Sequence, residues 1–283
     1  MEMNLLRSSP SSINLSTAFP TSPSLQVHGP RVSPLFTNEF RKVSLCAKPL
    51  PKRNCVQASI VQLEPSLKVK NKAVDLASEL KGTSIFLVGM NGSMKTSLGK
   101  LLADALRYYY FDSDSLVVQA AGGESAAKSL KEEDEEGFQS SETEVLKQLS
   151  SMGRLVICAG DGAVQSSTNL AYLRYGISVW IDVPLDILAK EAMERGEYSP
   201  FTWPISASDT FPEVFEKLSK LYAELEDGYA TADARVTLQN VASAMGYDDV
   251  EAVTTEDMAM EILKEMEKLT RVKKMMEAAA RPF

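Results

Sequence analysis

The stretch Ser84-Ile85-Phe86-Leu87-Val88-Gly89-Met90-Asn91-Gly92-Ser93-Met94-Lys95-Thr96 decides the fold. Its first part is a continuous apolar run closed by a glycine, the pattern of a strand buried on both faces of a parallel sheet. From Thr96 to Leu106 the apolar residues Leu98, Leu101, Leu102 and Ala105 recur at helical spacing. Strand, glycine-bearing loop and helix in that order are the setting of a phosphate-binding loop. Gly89, Lys95 and Thr96 fit the Walker A frame, while Met94 stands where its second glycine belongs; Gly92 is the remaining glycine of the loop. In such a loop successive backbone N–H groups converge on phosphate oxygens, and a glycine lets them approach with no Cβ in the way. Lys95 retains a charge for phosphate and Thr96 a hydroxyl for Mg²⁺. Weak Mg-ATP binding therefore stays open, and a plain strand-to-helix turn is the other reading of the loop.

The rest of the body repeats the alternation. A lead-in helix over residues 66–81 stops at Lys81-Gly82, as helices often do at a glycine. Tyr108-Tyr109-Tyr110-Phe111 reads as the next buried strand and runs into Asp112-Ser113-Asp114. Gly122 to Glu136 is acidic and surface-like, and a helix is expected near Glu142 to Met152. Leu155 to Ala159 and Ile177 to Val183 are two further strands, the second closed by Pro184. Strands separated by helical patterns predict an α/β fold with a doubly wound parallel sheet, of the P-loop, nucleoside-monophosphate-kinase-like kind. Gly196 to Asp209 reads as a mobile loop. Glu256 to Ala280 reads as a charged amphipathic helix whose methionine-rich stripe either packs on the sheet or offers a partner surface.

Charge is distributed unevenly over the 283 residues. Residues 1–57 hold seven basic residues (Arg7, Arg31, Arg41, Lys42, Lys48, Lys52, Arg53) against Glu2 and Glu39, a balance of +5, so the remainder carries −13 of the total −8. An acidic body repels nucleic-acid backbones and anionic lipid surfaces, so no nucleic-acid partner is expected. The first 58 residues are rich in Ser, Thr and Pro, nearly free of acids, and have no apolar run long enough for a secretory signal or a membrane span. They read as a chloroplast transit peptide; scattered prolines (Pro10, Pro20, Pro23, Pro30, Pro34) disfavour the amphipathic helix of a mitochondrial presequence, and a disordered tail is the bland alternative. The three cysteines, Cys46, Cys55 and Cys158, form neither a disulfide framework nor a zinc pattern. The single histidine, His28, lies in the leader, so the body has none for acid-base work or nucleophile activation. The expected organisation is leader 1–58, lead-in segment 59–81, P-loop domain 82–240 and C-terminal helical extension 241–283.

With Asp112-Ser113-Asp114 downstream of the loop, residues 82–240 resemble the shikimate kinase family. That family carries, after its P-loop, an Asp-x-Asp element, a Phe-Arg-x-x-Glu element, a triple glycine and an arginine-bearing lid. It transfers the γ-phosphoryl of ATP to the 3-hydroxyl of shikimate. The resemblance places Asp112 near Mg²⁺, beside Thr96, and Asp114 at the shikimate hydroxyls. Phe138-Gln139-Ser140-Ser141-Glu142 keeps the second element except that Gln139 replaces the arginine of a carboxylate clamp. A glutamine has neither the charge nor the bidentate fork. Gly160-Asp161-Gly162 sets an acid in the triple glycine, Ser199 stands where the lid has arginine, and Leu218-Ser219-Lys220-Leu221-Tyr222 replaces Arg-x-Pro-Leu-Tyr. Arg195 and Lys220 are the nearest substitutes for the lost cations.

Phosphoryl transfer is catalysed mainly by positioning and charge neutralisation, and one arginine finger is worth about 10³ to 10⁵ in rate. Losing three arginines while fold-bearing positions stay intact predicts a pseudoenzyme with no catalytic residues, only vestigial Asp112 and Asp114, and no required cofactor. Resemblance to non-catalytic plastid members of the family implies a role in chloroplast biogenesis through protein partners the sequence does not name. A nucleotide-responsive binding module and a kinase of altered substrate remain the alternatives.

Overall fold

A computed structural model describes residues 65–196, 205 and 208–280. The leader and Ser199 lie outside them, as does most of the loop from Gly196 to Asp209.

Five strands, β1 (Ile85–Val88), β2 (Tyr109–Asp112), β3 (Leu155–Cys158), β4 (Ile177–Asp182) and β5 (Ala234–Thr237), form one sheet in the order β2-β3-β1-β4-β5. All four pairings are parallel; Leu87 lies opposite Cys158 on one side and Val179 on the other. β1 and β3 are buried at every position, as apolar runs flanked by helices on both faces should be. β2 corrects the expectation of a buried strand. It is an edge paired only with β3, and Tyr109 is 59% exposed. A tyrosine run tolerates this because each ring has a polar tip that water can reach.

Helices α1 (Pro65–Leu80), α2 (Ser93–Leu106), α3 (Ser113–Ala121), α4 (Glu124–Glu133), α5 (Glu135–Ser150) and α6 (Ser167–Leu173) fill the first part of the chain. α7 (Leu185–Arg195), α8 (Phe211–Tyr229), α9 (Leu238–Met245) and α10 (Thr255–Ala279) complete it. The acidic stretch from Gly122 is helical, as α4 and the start of α5, and α5 begins ahead of the expected Glu142. Asp134 causes the early start: its carboxylate accepts from the Gly137 N–H at 2.9 Å and caps the helix. α1 ends where expected, at Lys81 and Gly82, both at positive φ.

The methionine-rich stripe of α10 divides. Met258, Ile262, Leu263 and Met266 are fully buried in the single core cluster, whereas Val272, Met275 and Met276 are exposed. α10 packs on α1 and α2, tied by Lys72 to Glu267 at 2.6 Å and Lys274 to Glu79 at 2.9 Å. α9 runs across residue 240, so the C-terminal helices continue the core of the P-loop domain. α10 opens on a capping box in which Thr254 Oγ1 accepts from the Asp257 N–H and the Asp257 carboxylate accepts from the Thr254 N–H. Thr254→Ala is expected to cost about 1 kcal/mol, a fall of about 2–4 °C in the unfolding midpoint read by circular dichroism. No helix among the described residues is long and apolar enough to cross a membrane.

Candidate functional site

The chain crosses from one side of β1 to the other at the centre of the sheet, and a doubly wound sheet opens its ligand crevice at the carboxyl ends of the strands beside such a crossover. Gly89, Asp112 and Gly160 stand at the ends of β1, β2 and β3 there. Gly89 has φ +128°, a conformation open to glycine, and a Cβ on it would strike the Ile181 carbonyl.

Lys95 is buried, and its ammonium donates to three protein acceptors: the Gly89 carbonyl at 2.7 Å, Asn91 Oδ1 at 2.8 Å and the Ala159 carbonyl at 2.8 Å. An ammonium has three donors, so its capacity is filled. Met94 is half-buried against the core cluster. The Tyr110 hydroxyl has its pKa raised first by burial and then by Cys158 and Asp112. At the start of α2 the Ser93 N–H donates to Glu191 Oε1 at 2.6 Å. Arg195, the nearby cation that sequence suggested for the missing lid arginine, instead pairs with Glu191 one turn back in α7.

The acidic pair divides its tasks. Asp112 caps α3, accepting from the Ser115 N–H at 3.0 Å. Asp114 lines a cavity of about 110 Å³ together with Lys131, Glu135, Phe138, Gln139, Glu142, Asp161, Gly162, Gln165 and Leu221. Four carboxylates thus face one ammonium, and no arginine is among the lining residues. Burial, then the neighbouring Asp161, pushes the Asp114 carboxyl up to about 7 against the opposing pull of Lys95. Burial, then Asp114, pushes Glu142 up to about 7 as well, with Lys131 opposing. Asp161 accepts from the Tyr229 hydroxyl at 3.0 Å, which ties the altered glycine element to α8.

The two glycines flanking Asp161 remain for a local reason. A Cβ on Gly160 would collide with the Asp114 carboxylate, and one on Gly162 with that of Glu142. The close approach that glycine permits here is made by the protein's own acids.

Asp114, Gln139 and Asp161, which the family resemblance sets at the substrate, line one cavity, and Glu142, given no role by the sequence, lines it with them. Leu218 and Lys220 do not line it. Leu218 is fully buried in the core, Leu221 faces the cavity in its stead, and Lys220 is exposed and pairs with Glu216 at 2.8 Å. Residues three apart on a helix lie one turn along and only about 60° round from each other, so Leu221 reaches the cavity while Leu218, on the adjoining line of the same side, packs into the core, a distinction a motif match does not register. Lys131, Glu135 and Glu191 were missed because they lie in helices whose charges read as solvated faces.

The family model for shikimate kinase matches residues 91–267. The chain belongs to the shikimate kinase family. It is 56% identical over 255 residues to the Arabidopsis thaliana protein named probable inactive shikimate kinase like 1, chloroplastic, covering 88% of each chain. It is 41% identical over 254 residues to shikimate kinase 2, chloroplastic, of Oryza sativa subsp. japonica, covering 88% of this chain and 79% of that one. Shikimate kinase from Acinetobacter baumannii in complex with shikimate shares the fold at a TM-score of 0.54 and 23% identity, over 69% of this chain and 97% of that one. Like these plant relatives, this shikimate kinase family member is chloroplastic.

Proposed function

We propose that this chain is a non-catalytic plastid member of the shikimate kinase family that acts in chloroplast biogenesis through protein partners and not through phosphoryl transfer. The observation that carries the reading is the charge of the cavity. Asp114, Glu135, Glu142 and Asp161 surround the place where an anionic substrate would be held, and the lining has Gln139 and Leu221 but no arginine. Asp161, standing in the triple-glycine element, sets a carboxylate against a carboxylate substrate with no arginine to offset it, and above about pH 7 Asp114 and Glu142 add their charges. Lys95 adds to the case, since its three donors already have acceptors within the protein. The chain requires no cofactor, and contact with Mg-ATP, including Mg²⁺ at Thr96 and Asp112, is weak. The name of the Arabidopsis relative accords with this.

The test is a coupled assay for ADP release with the full chain, Mg-ATP and shikimate, beside a calorimetric titration with shikimate. Background ADP release and no shikimate heat are expected. Met94→Gly alone leaves the rate at background, because Gln139 and Asp161 remain and no arginine lines the cavity. Shikimate-dependent ADP release by the unaltered chain would overturn the proposal.

A further inference from the structure

The first turn of a helix presents unpaired N–H groups and the positive end of the helix dipole, and in P-loop proteins this end receives phosphate oxygens. In this chain it already holds an anion. Glu191 reaches from α7 and takes the Ser93 N–H at 2.6 Å through Oε1. α7 is pressed against the loop at the same point: a Cβ built on Gly92 would lie 2.8 Å from Leu188 Cδ2 and 3.4 Å from Glu191 Oε2. Arg195, the cation in the last turn of α7, is paired to Glu191. Behind it, Lys95 is turned to Gly89, Asn91 and Ala159.

We propose that the Glu191 carboxylate is a built-in occupant of the phosphate cradle, and that this contact, more than the methionine at position 94, keeps polyphosphate out of the loop. A triphosphate entering the cradle must break a short hydrogen bond to a charged acceptor and bring phosphate oxygens against a carboxylate. Met94, half-buried against the core, presents no charge to it. The inference deepens the non-catalytic reading by naming the group that weakens nucleotide binding, and it fails separately from that reading.

The experiment is calorimetric titration of the full chain with inorganic tripolyphosphate and with Mg-ATP, on the unaltered protein and on Glu191→Ala, Glu191→Gln and Met94→Gly. Circular dichroism checks the fold of each variant. Glu191→Ala is expected to tighten both ligands about 10- to 100-fold, the worth of one hydrogen bond to a charged group. Glu191→Gln keeps the shape and removes the charge, so it tightens them by a smaller factor and carries the test alone if the alanine variant does not fold. Met94→Gly leaves both affinities within about twofold, a difference well under the tenfold step of 1.4 kcal/mol.

Three results would overturn the inference: no tightening in a folded Glu191 variant, equal tightening by Met94→Gly, or tightening for Mg-ATP without tightening for tripolyphosphate. Tighter binding by a Glu191 variant that still releases no ADP with shikimate supports this inference and the functional proposal together. Shikimate phosphorylation by the unaltered chain strikes the functional proposal and is read from product, not from binding.

Discussion

Replacing Glu142 by glutamine is expected to raise the thermal unfolding midpoint by about 4–8 °C at pH 8 and by much less at pH 5. In the folded chain the Glu142 carboxyl titrates at about 7, against 4.5 in an unperturbed chain, because burial and then the Asp114 charge disfavour its ionised form. The native state therefore holds a proton that the unfolded state has released, and stability falls as pH rises. The fall begins near 4.5, where the unfolded carboxyl ionises, and is complete above about 7, where the native one has also ionised. One pKa unit corresponds to about 1.4 kcal/mol, and with some relaxation of the coupled acids the penalty at pH 8 is about 2 kcal/mol. Glutamine fills the same space beside Gly162 without the charge, so the penalty disappears from the variant. Midpoints measured by differential scanning calorimetry from pH 5 to pH 8 check this. Wild-type and variant curves that run parallel across the range would show that Glu142 is an ordinary solvated acid.

This pH dependence arises from a site whose parts were unequally legible in the sequence. The strand from Ile85 to Val88 and the loop after it could be read because periodicity and glycine placement are local signals, and the observed β1 and α2 follow them closely. β2 was misjudged because an apolar or aromatic run states that a strand is sheltered without stating how many neighbours it has. Its edge position depends on the order of the strands, which is a property of long-range pairing. β5, with Arg235 stacked over Trp180 at 4.0 Å, carries too few apolar residues to stand out, and it is held by β4 and by side-chain contacts. At the site, Gln139 and Asp161 were found because a motif supplied a position to compare. Glu191 had no such frame. A glutamate in the middle of a charged helix is ordinarily a solvated residue, and only the packing of α7 on the P-loop gives it a partner. Gly160 and Gly162 illustrate a subtler gap: the motif marks them only as glycines, while the groups that approach them, the carboxylates of Asp114 and Glu142, are brought there by the fold.

Lys95→Met is expected to lower the unfolding midpoint by about 6–12 °C, even though the same residue in a working P-loop serves a ligand. The argument rests on where its ammonium goes. Three protein acceptors receive its protons at 2.7–2.8 Å, two of them main-chain carbonyls at the ends of β1 and β3, so the lysine joins the P-loop to the neighbouring strand. Methionine fills similar volume but donates nothing, leaving the Gly89 and Ala159 carbonyls and Asn91 Oδ1 without that donor in a buried place. Each abandoned acceptor costs about 1–3 kcal/mol, offset in part because a buried ammonium no longer has to be desolvated, and about 3 kcal/mol remains. A second consequence runs through Asn91, which the lysine orients and whose Nδ2 donates to Asp114 at 3.3 Å. With Lys95 gone, the ammonium that opposes the rise of the Asp114 carboxyl is absent, so that carboxyl moves further above its ordinary range and the loss of stability grows as pH rises toward 8. Lys220→Met, at an exposed lysine in α8, leaves the midpoint unchanged and serves as the control. Were Lys95→Met as stable as the parent chain, the three bonds of the ammonium would contribute nothing to the fold, and Lys95 would no longer support the weak-binding reading.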